Sequence, residues 1–328
     1  MLNLFYKEPE GDRWLPCDRY PRRVMRRLVH GPKQPGGMER YFLNLKDGLD
    51  RLSVPNSVNS MRCARADRKA PVCIVGKSIV LSERTWKNPI LFGPAVASHP
   101  IDDMAAFAEL PIRKILVSCD WLKAMYRPHL DIPVEVWPSG IDTYTWHPHP
   151  APAKDVDVLV YDKIRWDREQ MRPALLQPIL SRLNASGLRV EVIRYGYYRE
   201  AEFRQLLAQS SAMIFLVEHE TQGFAYLQTL SCDVPIFAWD RGGPWQDPSY
   251  YPHKVTFEPV TSVPYWDDRC GMKFKDACEF AARWDDFWEH VKAGCFAPRN
   301  YVLENLTLEK CAGGYVEIAR ELGADVEM

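Results

Sequence analysis

Short apolar runs alternate along most of this chain with stretches whose apolar residues recur at helical spacing. The runs lie at 72–75, 90–92, 115–118, 134–137, 156–161, 190–195, 213–217 and 234–239. They are rich in Val, Ile, Leu and Phe and too short to be helix cores, which predicts strands buried on both faces. Between them, 37–52 brings Tyr41, Leu45, Leu49 and Leu52 to one helical face. The stretches 120–127, 168–183, 198–209 (with Phe203, Leu206 and Leu207) and 224–232 read the same way. Strand and helix in alternation predict doubly wound, Rossmann-like α/β domains with ligands at the carboxyl ends of the strands.

One segment interrupts the alternation. Residues 147–154 read His-Pro-His-Pro-Ala-Pro-Ala-Lys, and each proline lacks a donor and restricts the residue before it. A stiff, extended linker is expected there, dividing a domain at 1–148 from one at 149–298, with a terminal segment at 299–328. The length, 328 residues, suits two cores. A net charge of −1 gives no overall field toward nucleic acid or a membrane. The nine cysteines are scattered and form no CxxC pair, so a zinc knuckle or a thioredoxin-like site is excluded and reduced thiols are expected. The first residues lack the apolar core of a signal peptide, and no run approaches a membrane span. The expectation is a cytoplasmic protein with membrane contact at most peripheral. No GxGxxG follows an early strand, which argues against a nicotinamide-dependent dehydrogenase.

The chemistry concentrates after the predicted strands. The run 213–217 enters an acidic turn, Glu218-His219-Glu220-Thr221-Gln222-Gly223, and then the helix beginning Phe224-Ala225. Glycine at such a turn lets backbone N–H groups approach a ligand, and a helix start favours anions. A βαβ unit with a capping carboxylate would read the same. Glu218 and Glu220 alternate on an extended turn and point apart, so they do not read as an acid/base pair. After 156–161 come Asp162, Lys163 and, five positions on, Arg168. Two cations there can grip a diphosphate, the favoured reading; a solvated, charged helix start is the alternative. His147 and His149 read as exposed linker residues rather than metal ligands. Arg22, Arg23, Arg26 and Arg27 read as a solvated face, with contact to anionic lipid or an acidic acceptor as the alternative. Trp266, Trp284 and Trp288 read as packing residues.

Taken together, these segments resemble glycosyltransferase family 4, the retaining enzymes of GT-B fold. Glu220 matches the first glutamate of the family's donor motif, Gly223-Phe224-Ala225 its glycine turn, and Val234-Pro235 the entry to its next strand. Gln228 stands where the family has a second glutamate that holds the ribose hydroxyls. Lys163 and Arg168 match the two basic residues that grip the donor diphosphate, with Asp162 in place of glycine. Gly36-Gly37, before Met38-Glu39-Arg40, is similar to the family's Gly-Gly-x-Glu-Arg loop. Ser139-Gly140-Ile141-Asp142, followed by Trp146, is similar to the segment before the family's linker.

The resemblance implies two Rossmann-like domains, with a C-terminal helix crossing back to the first. It implies transfer of a hexose-type sugar, with retention, from a UDP- or GDP-sugar to a hydroxyl of a glycan or other acceptor. No metal or other cofactor is implied. Lys163, Arg168 and Glu220 would be catalytic. His99 matches a histidine near the transferred sugar, or is structural. The donor would be held by Gly36, Gly37, Gln222, Gly223, Phe224, Ala225 and Gln228. It would also meet Tyr195, Gly196 and Tyr197, where an aromatic either stacks on the base or packs in the core. The alternatives are a nucleotide-sugar epimerase on the same fold and a non-catalytic sugar- or nucleotide-binding homologue.

Overall fold

The computed structural model describes residues 1–8, 20–21, 25, 35–94, 98–102, 109–149 and 154–326. The arginine cluster at 22, 23, 26 and 27, Cys17, and linker positions 150–153 lie outside the described residues. The chain divides into two compact units. The first comprises Met1–Val117, Tyr126–Trp137 and Ala312–Met328; the second comprises Ser118–Met125 and Pro138–Cys311. The last helix, Leu308–Glu321, begins in the second unit and ends in the first.

The first unit holds a six-stranded sheet of β1 (Leu2–Phe5), β2 (Asn56–Val58), β3 (Val72–Ile74), β4 (Ile90–Phe92), β5 (Ile112–Val117) and β6 (Val134–Val136), ordered β2-β1-β3-β4-β5-β6. Every pairing is parallel. The helix Gly37–Arg51 buries Tyr41, Leu45 and Leu49, with Glu39 in its first turn and Arg51 in its last, each favourable to the helix dipole. Trp137 meets Tyr315 edge to face at 5.0 Å, so the returning terminal segment closes this unit's own core.

The second unit holds β7 (Val156–Asp162), β8 (Val190–Arg194), β9 (Ser210–Leu216), β10 (Ile236–Trp239) and β11 (Gly271–Phe274), ordered β11-β10-β9-β7-β8 and again parallel throughout. Its strands alternate between two apolar faces. Tyr161, Phe215 and Ile236 join Tyr226 and Leu227 on one side. Val160, Ile214 and Phe237 join Ile179, Trp284 and Phe287 on the other. Burial on both faces is why these strands read as continuous apolar runs.

The helix expected at 168–183 is broken. Arg168–Met171 passes into a π-turn at Arg172–Leu176 before Gln177–Ala185 resumes. Pro173 and Pro178 remove backbone donors there, and a wider turn absorbs the loss. The helix Ala277–Lys292 is not among the predicted elements. It turns Phe280, Trp284 and Phe287 inward and is capped by Asp276, whose carboxylate accepts from the Glu279 N–H at 2.9 Å. No helix among the described residues is long and apolar enough to cross a membrane.

Candidate functional site

In the second sheet the strand order reverses between β7 and β9. Chains leaving adjacent strands in opposite directions open a crevice at such a point, where α/β sheets bind ligands. The residues leaving these two strands are Asp162-Lys163 and Glu218-His219-Glu220. The ladder continues past β7, with the Lys163 N–H on the Leu216 carbonyl at 2.8 Å and the Tyr195 N–H on the Asp162 carbonyl at 2.9 Å. That register sets Tyr195 beside Lys163.

Lys163 forms an ion pair with Glu220, and both side chains are largely buried. The Lys163 ammonium lies 4.4 Å from the centre of the Tyr195 ring, a cation–π contact that leaves half of that ring exposed. The Glu220 backbone is held on both sides. Its N–H donates to the Thr261 carbonyl at 3.1 Å, and its carbonyl accepts from Trp121 Nε1 at 2.9 Å. Thr261 is fixed in turn by Asp240, which follows β10 and accepts from Thr261 Oγ1, the Ser262 N–H and Lys273 Nζ, each at 2.9 Å.

Glu218 and Glu220 serve different neighbours, as their alternation predicts. Glu218 is 3% exposed, and its Oε1 accepts from the Arg165 and Trp166 backbone N–H groups at 2.8 and 3.0 Å. His219 packs between Trp121 at 5.5 Å and Trp166 at 5.1 Å. Burial, with Arg165, Lys163 and Arg241 nearby, pushes its pKa down to about 2, so the ring is neutral.

Gly223 caps the helix Phe224–Ser231 in a left-handed conformation, φ 70°. A Cβ there would come within 2.2 Å of the Tyr226 ring, so glycine is required twice over. Phe224 and Ala225 open that helix, whose first turn carries no acidic residue. Gln228 is buried one turn in, 7% exposed. Gln222 is turned toward a backbone. Its Oε1 accepts from the Ser139 N–H and its Nε2 donates to the Ser139 carbonyl, both at 3.0 Å. Gly196 has a φ of 81°, and Tyr197 is exposed under the Arg194 guanidinium at 4.7 Å.

Arg168, which the resemblance sets on the diphosphate, is paired here with Asp162. Its guanidinium clasps Asp162 through Nη1, at 2.8 Å, and Nη2, and Nη1 also reaches the Ile164 carbonyl at 3.1 Å. The carboxylate raises the Arg168 pKa further. Lys163, Glu220, Tyr195 and Gly223 thus gather around one crevice, while Arg168 faces the carboxylate beneath it. His99, Gly36 and Gly37 belong to the first unit. His99 is buried against His129, ring centres 4.8 Å apart, and accepts from the Ile101 N–H at 3.2 Å. Burial, then His129, pushes its pKa down to about 4. Gly36 caps the helix Gly37–Arg51, and neither glycine faces an atom that a Cβ would meet. Among the described residues, no group of three or more His, Cys, Asp or Glu is placed to hold a metal ion.

Trp121, Arg165, Trp166 and Asp240 surround the crevice without having been singled out in the sequence. Trp121 and Asp240 are each in a stretch read as helix or strand end, and nothing in their spacing marks them.

No protein-family model matches the sequence, and no curated protein matches it. Solved structures do. The glycosyltransferase from Rickettsia africae ESF-5 superposes with a TM-score of 0.53 at 10% identity, over 94% of this chain and 88% of its own. S. aureus TarM in complex with fondaparinux, alpha-GlcNAc-glycerol and UDP gives 0.53 at 10% identity, over 85% of this chain and 58% of its own. Sucrose-phosphate synthase from Thermosynechococcus elongatus gives 0.50 at 12% identity, over 88% and 82%. The fold is GT-B. Its two parallel sheets, each reversing order beside its first strand, superpose on these proteins as a fold. At 10–12% identity the likeness is one of fold, and this chain spans 58% of TarM's length.

Proposed function

We propose that this GT-B protein is a glycosyltransferase that moves a hexose-type sugar from a UDP- or GDP-sugar to a hydroxyl of a glycan or other acceptor. The observation that carries the reading is the Lys163–Glu220 pair at the reversal of strand order, beside the glycine-capped start of Phe224–Ser231. Lys163 offsets the negative charge that develops on the departing diphosphate, a task for which a fixed cation in a partly buried site is well suited. Glu220 accepts hydrogen bonds from sugar hydroxyls. Its pairing with Lys163 keeps both charges compensated until the donor arrives. Gln228 contacts the ribose, and Tyr195, Gly196 and Tyr197 lie against the base.

The bond from the sugar's anomeric carbon to the diphosphate oxygen breaks, and a bond to the acceptor oxygen forms. The acceptor proton passes to the leaving phosphate, and the anomeric configuration is retained. No metal is required, because side-chain cations carry the electrostatic task. The complex of TarM with UDP supports a nucleoside diphosphate as the common part of the donor.

The test is a thermal-shift panel of UDP, GDP, ADP, TDP and their sugars, with and without chelator. A ligand that binds only the folded state at 100 times its Kd adds about 2.7 kcal/mol of stability. A chelator-resistant shift with one nucleotide, abolished in Lys163→Ala and Glu220→Ala, followed by transfer from the matching sugar donor, is expected. No shift with any nucleotide overturns the reading.

One observation favours a second reading, a non-catalytic nucleotide- or sugar-binding homologue. The Arg168 guanidinium, which the family uses on the diphosphate, is occupied by Asp162. That protein would bind the donor and show no turnover with any acceptor.

A further inference from the structure

The cations that follow β7 differ in what their charges face. Asp162 is 3% exposed and accepts from both terminal nitrogens of Arg168 and from the Ile164 N–H at 3.2 Å. Turning Arg168 toward a ligand would strand that carboxylate in the interior, which is strongly opposed. Arg165 is placed otherwise. Its backbone N–H is anchored on Glu218 Oε1 at 2.8 Å, and its guanidinium stacks over Trp166 at 4.6 Å. Its Nη2 reaches the His219 carbonyl at 3.2 Å. Its Nε forms a longer ion pair with Glu218 Oε2 at 3.6 Å, and a third of its side chain is exposed. Glu218 Oε2 is itself buried without a hydrogen-bond partner. Arg165 is therefore held by stacking and by a single, longer ion pair, is more exposed than Arg168, and faces a carboxylate that keeps two backbone N–H bonds of its own. Arg241, after β10, adds to the same positive field: its guanidinium donates to Gln246 and lies 5.3 Å from the Trp239 ring.

We propose that Arg165, and not Arg168, supplies the second positive charge to the diphosphate of the ligand, and that Arg168 is a strut that holds Asp162. The inference rests on the nucleotide-binding reading above. A planar fork fixed over an aromatic ring suits paired phosphate oxygens, because little side-chain freedom is lost when they bind. Asp162, standing where the family has glycine, is what moves the task from one arginine to the other.

The experiment measures binding of uridine, UMP, UDP, guanosine, GMP, GDP and inorganic pyrophosphate by calorimetry. Wild-type protein is expected to bind one diphosphate more tightly than its nucleoside. Arg165→Gln should lower that diphosphate's affinity roughly 10- to 100-fold and leave the nucleoside's unchanged. Arg165→Lys should recover part of the loss. Arg168→Gln should lower the melting temperature of the unliganded protein and keep the preference for diphosphate over nucleoside. A wild-type preference undiminished in Arg165→Gln, or lost in a cooperatively folding Arg168→Gln, overturns the inference alone. Failure of the wild type to bind any nucleoside or phosphate overturns the nucleotide-binding reading and this inference with it.

Discussion

Each sheet reverses its order beside its first strand, between β1 and β3 in one unit and between β7 and β9 in the other, yet the two crevices are furnished differently. In the first unit Tyr6 follows β1, and its ring stacks on Phe42 at 4.8 Å, only 8° from parallel. A Cβ on Gly76, after β3, would lie 3.3 Å from that tyrosine. In the second unit the same position carries Lys163 and Glu220, with Asp162, Glu218 and His219 buried around them. An aromatic ring fills such a space at little electrostatic cost. Charges taken from water cost several kcal/mol each unless they are paired. The proposed donor site rests on that second arrangement, with its charges gathered where the strand order reverses.

If that contrast is sound, Asp162→Ala should have the largest effect. Arg168 loses its partner, and stability should fall by about 3–5 kcal/mol, read from a urea titration; a loss below about 1 kcal/mol would erase the contrast. In the first unit the corresponding polar tie is neutral. Asn88 Nδ2 donates to the carbonyls of Ala64, Asp67 and Ala70 at 3.0, 2.8 and 3.0 Å. Asn88→Ala should cost about 1–3 kcal/mol by the same titration.

The two buried histidines carry the comparison into pH. Burial pushes His219 down to about 2 and His99 down to about 4. Both are uncharged when folded and take up a proton on unfolding once the pH is below about 6.5. Each contributes stability that is fully present above that pH and is lost as the pH falls, by up to about 1.4 kcal/mol per pH unit. The loss ends near pH 4 for His99 and continues toward pH 2 for His219. His99→Gln should therefore flatten the acid dependence only above pH 4, and His219→Gln below it as well, in urea midpoints measured from pH 7 to 3. The smallest effect belongs to the surface. A double-mutant cycle on Arg182 and Asp285, whose carboxylate is 75% exposed, should give a coupling below about 1 kcal/mol.

Much of the fold was legible because burial on both faces of a parallel sheet leaves continuous apolar runs. β4 falls where its run lies, and β3, β5, β6, β7, β8, β9 and β10 differ from theirs by up to three residues at an end. The strands not foreseen lack that signature. β2 is Asn-Ser-Val and half-exposed, and β11 contains a glycine and a lysine. β1 is four residues at the chain start, with Asn3 bonded to Ser57 rather than packed in oil. Lys163, Glu220 and Gly223 stood out in the sequence because they adjoin strong strands, and the structure brings Lys163 and Glu220 together. The spacing of Arg168 is visible in sequence, whereas its pairing with Asp162 is a matter of three dimensions. Arg165 had no signal at all; its position depends on Glu218, which is distant in the chain.

The reciprocal bonds between Gln222 and the Ser139 backbone have a consequence of their own. The side chain is read as an ordered edge, one acceptor and one donor, and only an amide presents both at every pH. Gln222→Glu would preserve the shape but offer the donor only while the carboxyl is protonated. Because the folded protein would hold that proton more tightly than the unfolded chain, the clasp would be closed below about pH 4.3 and would open as the pH rises. A permanent fastening would become a latch worked by a single proton, visible as a melting temperature that falls between pH 4 and 8.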